Sequence, residues 1–231
     1  MPGNREHLPE WERLLSSAAR LQQILPEAVL DGGTAAAIHA EHRFSLDADH
    51  VLTDLRSRFD EVLEQLESVA GWKTARLARP VQILGSLDGI QTGVRQLIRT
   101  EPLETTTLDV EGAALTIPTE AEILRIKGVL ILKRNATRDY LDFVALATHT
   151  GAESTGEALR SFDRLYPQKS GESALQQLQA QLAHPLPYDL DESNLSEYRD
   201  LAAEWQDWRQ VKAACGRIAV AVFDHVCEAP K

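Results

Sequence analysis

The chain has 231 residues, 43% hydrophobic and 26% charged, with 35 acidic against 24 basic side chains and a formal charge of −11. That balance is ordinary for a folded protein and excludes low-complexity disorder, a collagen repeat and a disulfide scaffold. No apolar run reaches the roughly 18–20 residues that cross a bilayer, and the acid excess argues against a strong non-specific grip on nucleic acid, though not against a local basic groove.

The opening Met1-Pro2-Gly3-Asn4-Arg5-Glu6-His7 has no charged-then-apolar signal pattern, so a cytoplasmic location is expected, with no membrane partner. Leu14, Leu15, Ala18, Leu21 and Leu25 recur at helical spacing and predict a helix over 8–25. Val29-Leu30 then lead into Asp31-Gly32-Gly33-Thr34, and the alanine-rich run behind the glycines predicts a short helix over 35–40. A strand is expected over 47–52. An amphipathic helix follows over 56–69, with Phe59, Val62, Leu63, Leu66 and Val69 on one face.

Residues 71–117 are β-rich, with short strands expected at 74–77, 81–84, 94–98, 105–110 and 114–117, several of them separated by Gly and Pro. Thr119 with Glu122 three residues on has the capping-box spacing, opening a helix over 120–132, and another is expected over 137–147. Beyond 155 the pattern is helical: 174–183, a break at His184-Pro185-Leu186-Pro187, then a long segment over 194–226. The first half is therefore mixed α/β and the second helical, with a boundary near 118–120 or 150. Cys215 and Cys227 lie roughly 18 Å apart on one helix, too far for a disulfide, and read as two buried thiols. Trp205 and Trp208, at i and i+3, suit helix packing better than a base-stacking platform.

The chemistry concentrates in Gly32-Gly33-Thr34 and in Arg43-Phe44-Ser45-Leu46-Asp47-Ala48-Asp49. Two carboxylates at i and i+2 of a strand point to one face. That suits a hard cation such as Mg²⁺, which takes one or two carboxylates and keeps sites for water and phosphate. Glycines before a helix let the backbone approach a phosphate, and the helix start attracts its charge. Asp-x-Asp alone is usually a solvated strand edge and Gly-Gly-Thr alone a turn; in this order, with a helix between, they are far more specific.

Gly32-Gly33-Thr34, then His42-Arg43-Phe44-Ser45-Leu46-Asp47-Ala48-Asp49, then Lys127, Arg134 and Arg138-Asp139-Tyr140-Leu141-Asp142 resemble the motif series of the nucleotidyltransferase superfamily, and within it the AbiEii/AbiGii toxin family. The matching segments span 30–145. The resemblance implies an α+β fold: a small mixed-sheet, polymerase-β-like nucleotidyltransferase domain over 1–118, and a helical domain over 119–231 that contributes Lys, Arg and Asp to the cleft. It implies a Mg²⁺-dependent transfer of a nucleotide from an NTP, with Asp47 and Asp49 as metal ligands. Gly32, Gly33, Thr34 and Ser45 would bind the nucleotide together with Arg134 and Arg138. Lys127 would neutralise the triphosphate, and Asp139 or Asp142 would orient Lys127 or activate the acceptor. In some relatives the acceptor is a tRNA 3′ end. The setting implied is a bacterial toxin–antitoxin or phage-defence system with a cognate antitoxin.

On a single helix over 127–142, Lys127, Arg134, Arg138 and Asp142 would form one stripe, with Asp139 turned about 120° away. Asn135-Ala136-Thr137 is the place where such a helix would break. Two departures from the family pattern matter. His50 follows the second Asp, where the family has an aromatic or apolar residue, and alternation turns it away from the acids. A third carboxylate has no clear place: Asp88, Glu104 and Asp109 are candidates, while Arg95 stands where an acid is expected. Three outcomes stay open: an active nucleotidyltransferase, a degenerate one serving as a partner-binding module, or a transferase that modifies a protein or small molecule.

Overall fold

A computed structural model of the chain describes residues 8–227, apart from the side chains of residue 8 and of several positions beyond 222. Elements run in the order α1 (Leu8–Ile24), β1 (Val29–Leu30), α2 (Gly32–Ala40), β2 (Asp47–Leu52), α3 (Leu55–Glu67), β3 (Trp72–Ala78), β4 (Gln82–Leu87), β5 (Ile90–Gln96), β6 (Thr105–Val110) and β7 (Ala113–Pro118). Helices follow: α4 (Glu120–Arg134), α5 (Thr137–Thr150), α6 (Ala152–Leu159), α7 (Phe162–Leu165), α8 (Ala174–Ala183) and α9 (Trp208–Cys227). The α+β class expected from the sequence is observed.

The chain forms two compact units. Of the described residues, one unit takes 8–35 together with Ser45–Thr119; the other takes Ala36–Phe44 together with 120–227. A linear division at 118/119 does not contain the excursion of Ala36–Phe44, which carries His42 and Arg43 into the helical unit.

In the sheet unit, five strands run β1-β2-β5-β4-β3, and β6-β7 form a separate hairpin. Within the five-stranded sheet only β2 and β5 are parallel; the other neighbours are antiparallel. Asp88-Gly89, both at positive φ, make the tight turn joining β4 to β5, the dipeptide such hairpins favour. That turn fixes the register, so β5 begins at Ile90, four residues earlier than expected. The core joins Leu21, Leu55, Phe59, Val62 and Leu66 of the helices, with Leu25 just past α1, to Leu52, Trp72, Ile83, Leu87 and Val94 of the strands. Gln22 of α1 closes a backbone edge: its amide donates to Thr116 O at 2.8 Å and accepts from Thr116 N–H at 2.7 Å.

In the helical unit, α4 and α5 do not form one helix. Asn135 adopts a left-handed conformation (φ 49°), and α5 restarts at Thr137. The stripe from Lys127 to Asp142 is therefore interrupted. Asn tolerates this conformation better than most residues, because its side chain bonds locally; here its Oδ1 accepts from the Tyr140 hydroxyl at 2.6 Å. Asp189 Oδ1 caps the new start, taking both the N–H and the hydroxyl of Thr137. The expected long helix over 194–226 is shorter: single 3₁₀ turns at Leu195–Glu197 and Ala203–Trp205 precede α9. Trp205 is buried and Trp208 meets Tyr140 edge-on at 6.0 Å, so both tryptophans pack. Cys215 is a buried free thiol, and the side chain of Cys227 lies outside the described residues.

Candidate functional site

The sheet unit brings the glycine turn and the acidic strand together. Asp31 N–H donates to Asp49 O at 2.8 Å, which anchors the chain just before α2 on β2. Gly32 follows at φ +77°, and a Cβ added there would sit 3.8 Å from Asp49 Cβ. Thr34 is fully buried, and its hydroxyl donates to the Asp47 carbonyl, so it ties the start of α2 to the strand. Gly32 and Gly33 stay half-buried and leave backbone accessible at this end of the helix.

On β2 burial alternates over Asp47-Ala48-Asp49-His50: the two acids are half-exposed, while Ala48 and His50 are fully buried. The acids share one face, as the period of a strand demands. Ser45, itself buried, donates its hydroxyl to Asp47 Oδ1 at 3.0 Å and fixes that carboxylate. Asp49 Oδ2 receives Arg95 Nη2 at 2.7 Å. Burial pushes the Asp49 carboxyl above its usual range; Arg95 pulls it back, and the neighbouring Asp47 and Asp31 push it up again. Asp31, immediately before the glycines, is thus an acid of this site that sequence reasoning passed over; its position beside the Gly-Gly pair was the available signal.

Two of the other carboxylate candidates serve elsewhere. Asp88 pairs with Arg20, and Asp109 accepts from the Gly112 N–H in the β6–β7 turn. Glu104 accepts the Thr119 N–H through its backbone carbonyl. His50 faces the opposite side of β2, with Nδ1 2.9 Å from Ala48 O; burial lowers its pKa from 6.5 to about 4, so it is neutral.

Among the described residues, no group of three or more His, Cys, Asp and Glu side chains is arranged as a metal cage. Two carboxylates that share a face beside accessible backbone nevertheless match what Mg²⁺ takes from a protein when water and substrate phosphates complete its shell. Asp47 and Asp49 fit such an ion by the chemistry of their oxygens and by the glycine backbone left open next to them.

In the helical unit the remaining expected residues sort into two clusters. Asp142, fully buried, accepts from His42 Nε2 at 2.8 Å and Arg43 Nε at 2.7 Å on Oδ1, and from Lys127 Nζ at 2.8 Å and Arg43 Nη2 at 3.1 Å on Oδ2. Burial alone would raise this carboxyl, but Arg43, Lys127 and His42 outweigh it and hold it well below the usual carboxylate range. Burial lowers His42, so the imidazole is neutral and donates from Nε2. Arg134 instead takes Asp139 through a fork, Nε to Oδ2 at 3.0 Å and Nη2 to Oδ1 at 2.6 Å. Lys127 and Arg134 therefore belong to different clusters, Asp142 is the residue that orients Lys127, and Arg138 is exposed.

No protein-family model matches the chain. It is 30% identical over 239 aligned positions to the heme uptake protein MmpL11 of Mycobacterium tuberculosis, an alignment covering 91% of this chain and 22% of that protein. The chain thus spans about a fifth of the length of the curated relatives it matches. Among the described residues no helix is long and apolar enough to cross a membrane. Among solved structures, a protein of Helicobacter pylori described as a candidate nucleotidyltransferase superposes with TM-score 0.53 at 16% identity, covering 99% of this chain and 100% of that one. JHP933, also from Helicobacter pylori, superposes with TM-score 0.52 at 15% identity, covering 97% and 95%. The chain has the nucleotidyltransferase fold.

Proposed function

We propose that the chain is a Mg²⁺-dependent nucleotidyltransferase that moves a nucleoside monophosphate from an NTP to an acceptor. The observation that carries this reading is the joining of the Gly32-Gly33 turn to the strand bearing Asp47 and Asp49. When bound, the ion supplies charge stabilisation at the phosphoryl group being transferred. Asp47, fixed by Ser45, and Asp49 would hold it, while the N–H groups at the start of α2 receive phosphate oxygens. Such chemistry is mostly positioning and electrostatics and asks little more of the protein.

The AbiEii/AbiGii-like motif series extends the proposal to a toxin-like component with a cognate antitoxin, in a toxin–antitoxin or phage-defence system, and to a tRNA 3′ end as acceptor. Incubation with α-labelled NTPs, Mg²⁺ and either total tRNA or protein extract tests it. Label is expected in RNA, and Asp47→Asn or Asp49→Asn is expected to abolish transfer while leaving the fold intact. Label in protein alone would replace the tRNA acceptor with a protein one. Label in neither fraction, with the phenotype unmoved by the two substitutions together, would end the enzymatic reading.

One observation favours a second reading, a partner-binding module without catalysis: Arg95 already occupies Asp49. In that case the doubly substituted chain would keep its cellular phenotype.

A further inference from the structure

The strand beside β2 sets how much negative charge the acidic pair keeps. β5 runs parallel to β2 with Asp47 opposite Gln91, Asp49 opposite Gly93 and Val51 opposite Arg95. Residues i and i+2 of a strand line one face, so β5 offers that face an amide, a bare backbone and a guanidinium, and no carboxylate. Gly93 is required for close packing: a Cβ there would stand 2.5 Å from Leu84 Cδ2, 2.8 Å from Ile83 O and 3.4 Å from Asp49 Oδ1. No side chain can be placed between Asp49 and β5 at that position, and the charge that reaches Asp49 from this strand comes from Arg95. The guanidinium bonds Asp49 Oδ2 at 2.7 Å, with side-chain exposures of 41% for Arg95 and 21% for Asp49.

From this juxtaposition we infer that Arg95 is a tethered cation that competes with a divalent ion for Asp49, and so sets the metal affinity of the site. The inference rests on the reading that Asp47 and Asp49 hold such an ion. Without metal, Asp47 and Asp31 oppose the charge of Asp49, and Arg95 offsets that repulsion. When an ion arrives, it must share Asp49 with a unit positive charge already seated on one of its two oxygens. Two like charges a few ångströms apart near a protein surface repel appreciably, and the partial exposure of Arg95 lets solvent screen much of that repulsion. A net effect of about tenfold on affinity is the expected scale. Arg95 thus sets affinity: it holds the site at low affinity, so that loading depends on the phosphates an ion brings with it.

Titration of the full chain with Mn²⁺ alone, followed by loss of the free-ion EPR signal, tests this without any turnover. Arg95→Gln is expected to tighten Mn²⁺ binding about tenfold, Arg95→Asp to tighten it further, and Arg95→Lys to stay near wild type. Asp47→Asn with Asp49→Asn is expected to remove the binding. A merely structural arginine would not strengthen binding when neutralised, and Arg95→Lys reports on the charge with the fold conserved. Unchanged or weaker binding in Arg95→Gln, with wild type still binding through the two acids, overturns the role of Arg95 and leaves the transferase reading standing. Absence of Mn²⁺ binding in wild type and in Arg95→Asp alike overturns both.

Discussion

Replacing Asp142 by Asn should cost far more than replacing its partner Lys127 by Met. Asp142 is fully buried and is shared by two cations, Arg43 and Lys127, both nearly inaccessible, and by a neutral His42. Asp142 thus answers to Lys127 on one oxygen and to Arg43 on both. Asp142→Asn takes the carboxylate away from Lys127 and Arg43 while both stay buried, and breaking a buried pair costs about 3–5 kcal/mol. Lys127→Met removes one cation and keeps the carboxylate. It leaves a neutral Asp142–Arg43 pair whose fork still occupies both carboxylate oxygens, and it fills the volume of the Lys stem. About 1 kcal/mol or less is expected for that change. Adding Lys127→Met to Asp142→Asn should recover about 2 kcal/mol, because the Lys127 ammonium that lost its carboxylate disappears. Guanidinium unfolding followed by far-UV circular dichroism measures all three. Equal costs for the two single variants, or simple additivity in the double variant, would refute this charge accounting.

Acidification should destabilise the protein through His50. Its folded pKa is lowered to about 4 from 6.5, so between those values the unfolded chain binds more protons; the stabilisation is full above about pH 6.5 and is lost as pH falls toward 4. About 2 kcal/mol should disappear between about pH 7.5 and about pH 5. His50→Phe should flatten that slope, and unfolding free energies across the range would show an unchanged slope if the reasoning fails. Gly93→Ala should cost about 2 kcal/mol by forcing β4 and β5 apart; an unchanged midpoint on thermal unfolding would show that the strands give way freely. Arg134→Ala strands Asp139, which is fully buried, and should cost about 3 kcal/mol, whereas Arg138→Ala, at an exposed position, should change unfolding by less than about 0.5 kcal/mol.

Features settled over a few neighbouring residues are legible in the residues themselves. Alternation places Asp47 and Asp49 on one face and turns His50 away, and the bounds of β2 and β6 coincide with those expected. The first helix, expected over 8–25 and found over Leu8–Ile24, follows from the spacing of apolar residues, and the start at Glu120 from the capping-box spacing of Thr119 and Glu122. Asn135 is visible as a weak point, yet whether the helix breaks there depends on the Asp189 cap, 52 residues away from Thr137. Likewise the long helix expected over 194–226 is shortened because Leu195 and Trp205 bury their side chains from 3₁₀ turns, a choice made by packing.

The acidic pair, the glycine turn and the mixed-then-helical order can be read from the chain alone, because each depends on backbone periodicity and turn chemistry within about a dozen residues. Two things wait on the packed molecule. One is that β5 lies parallel beside β2, which aims Arg95 at Asp49. The other is that Ala36–Phe44 joins the helical unit, which gives Asp142 its partners from residues 99 and 100 positions away. Pairing across such separations is set by long-range burial and charge, and no local pattern encodes which distant group will meet which.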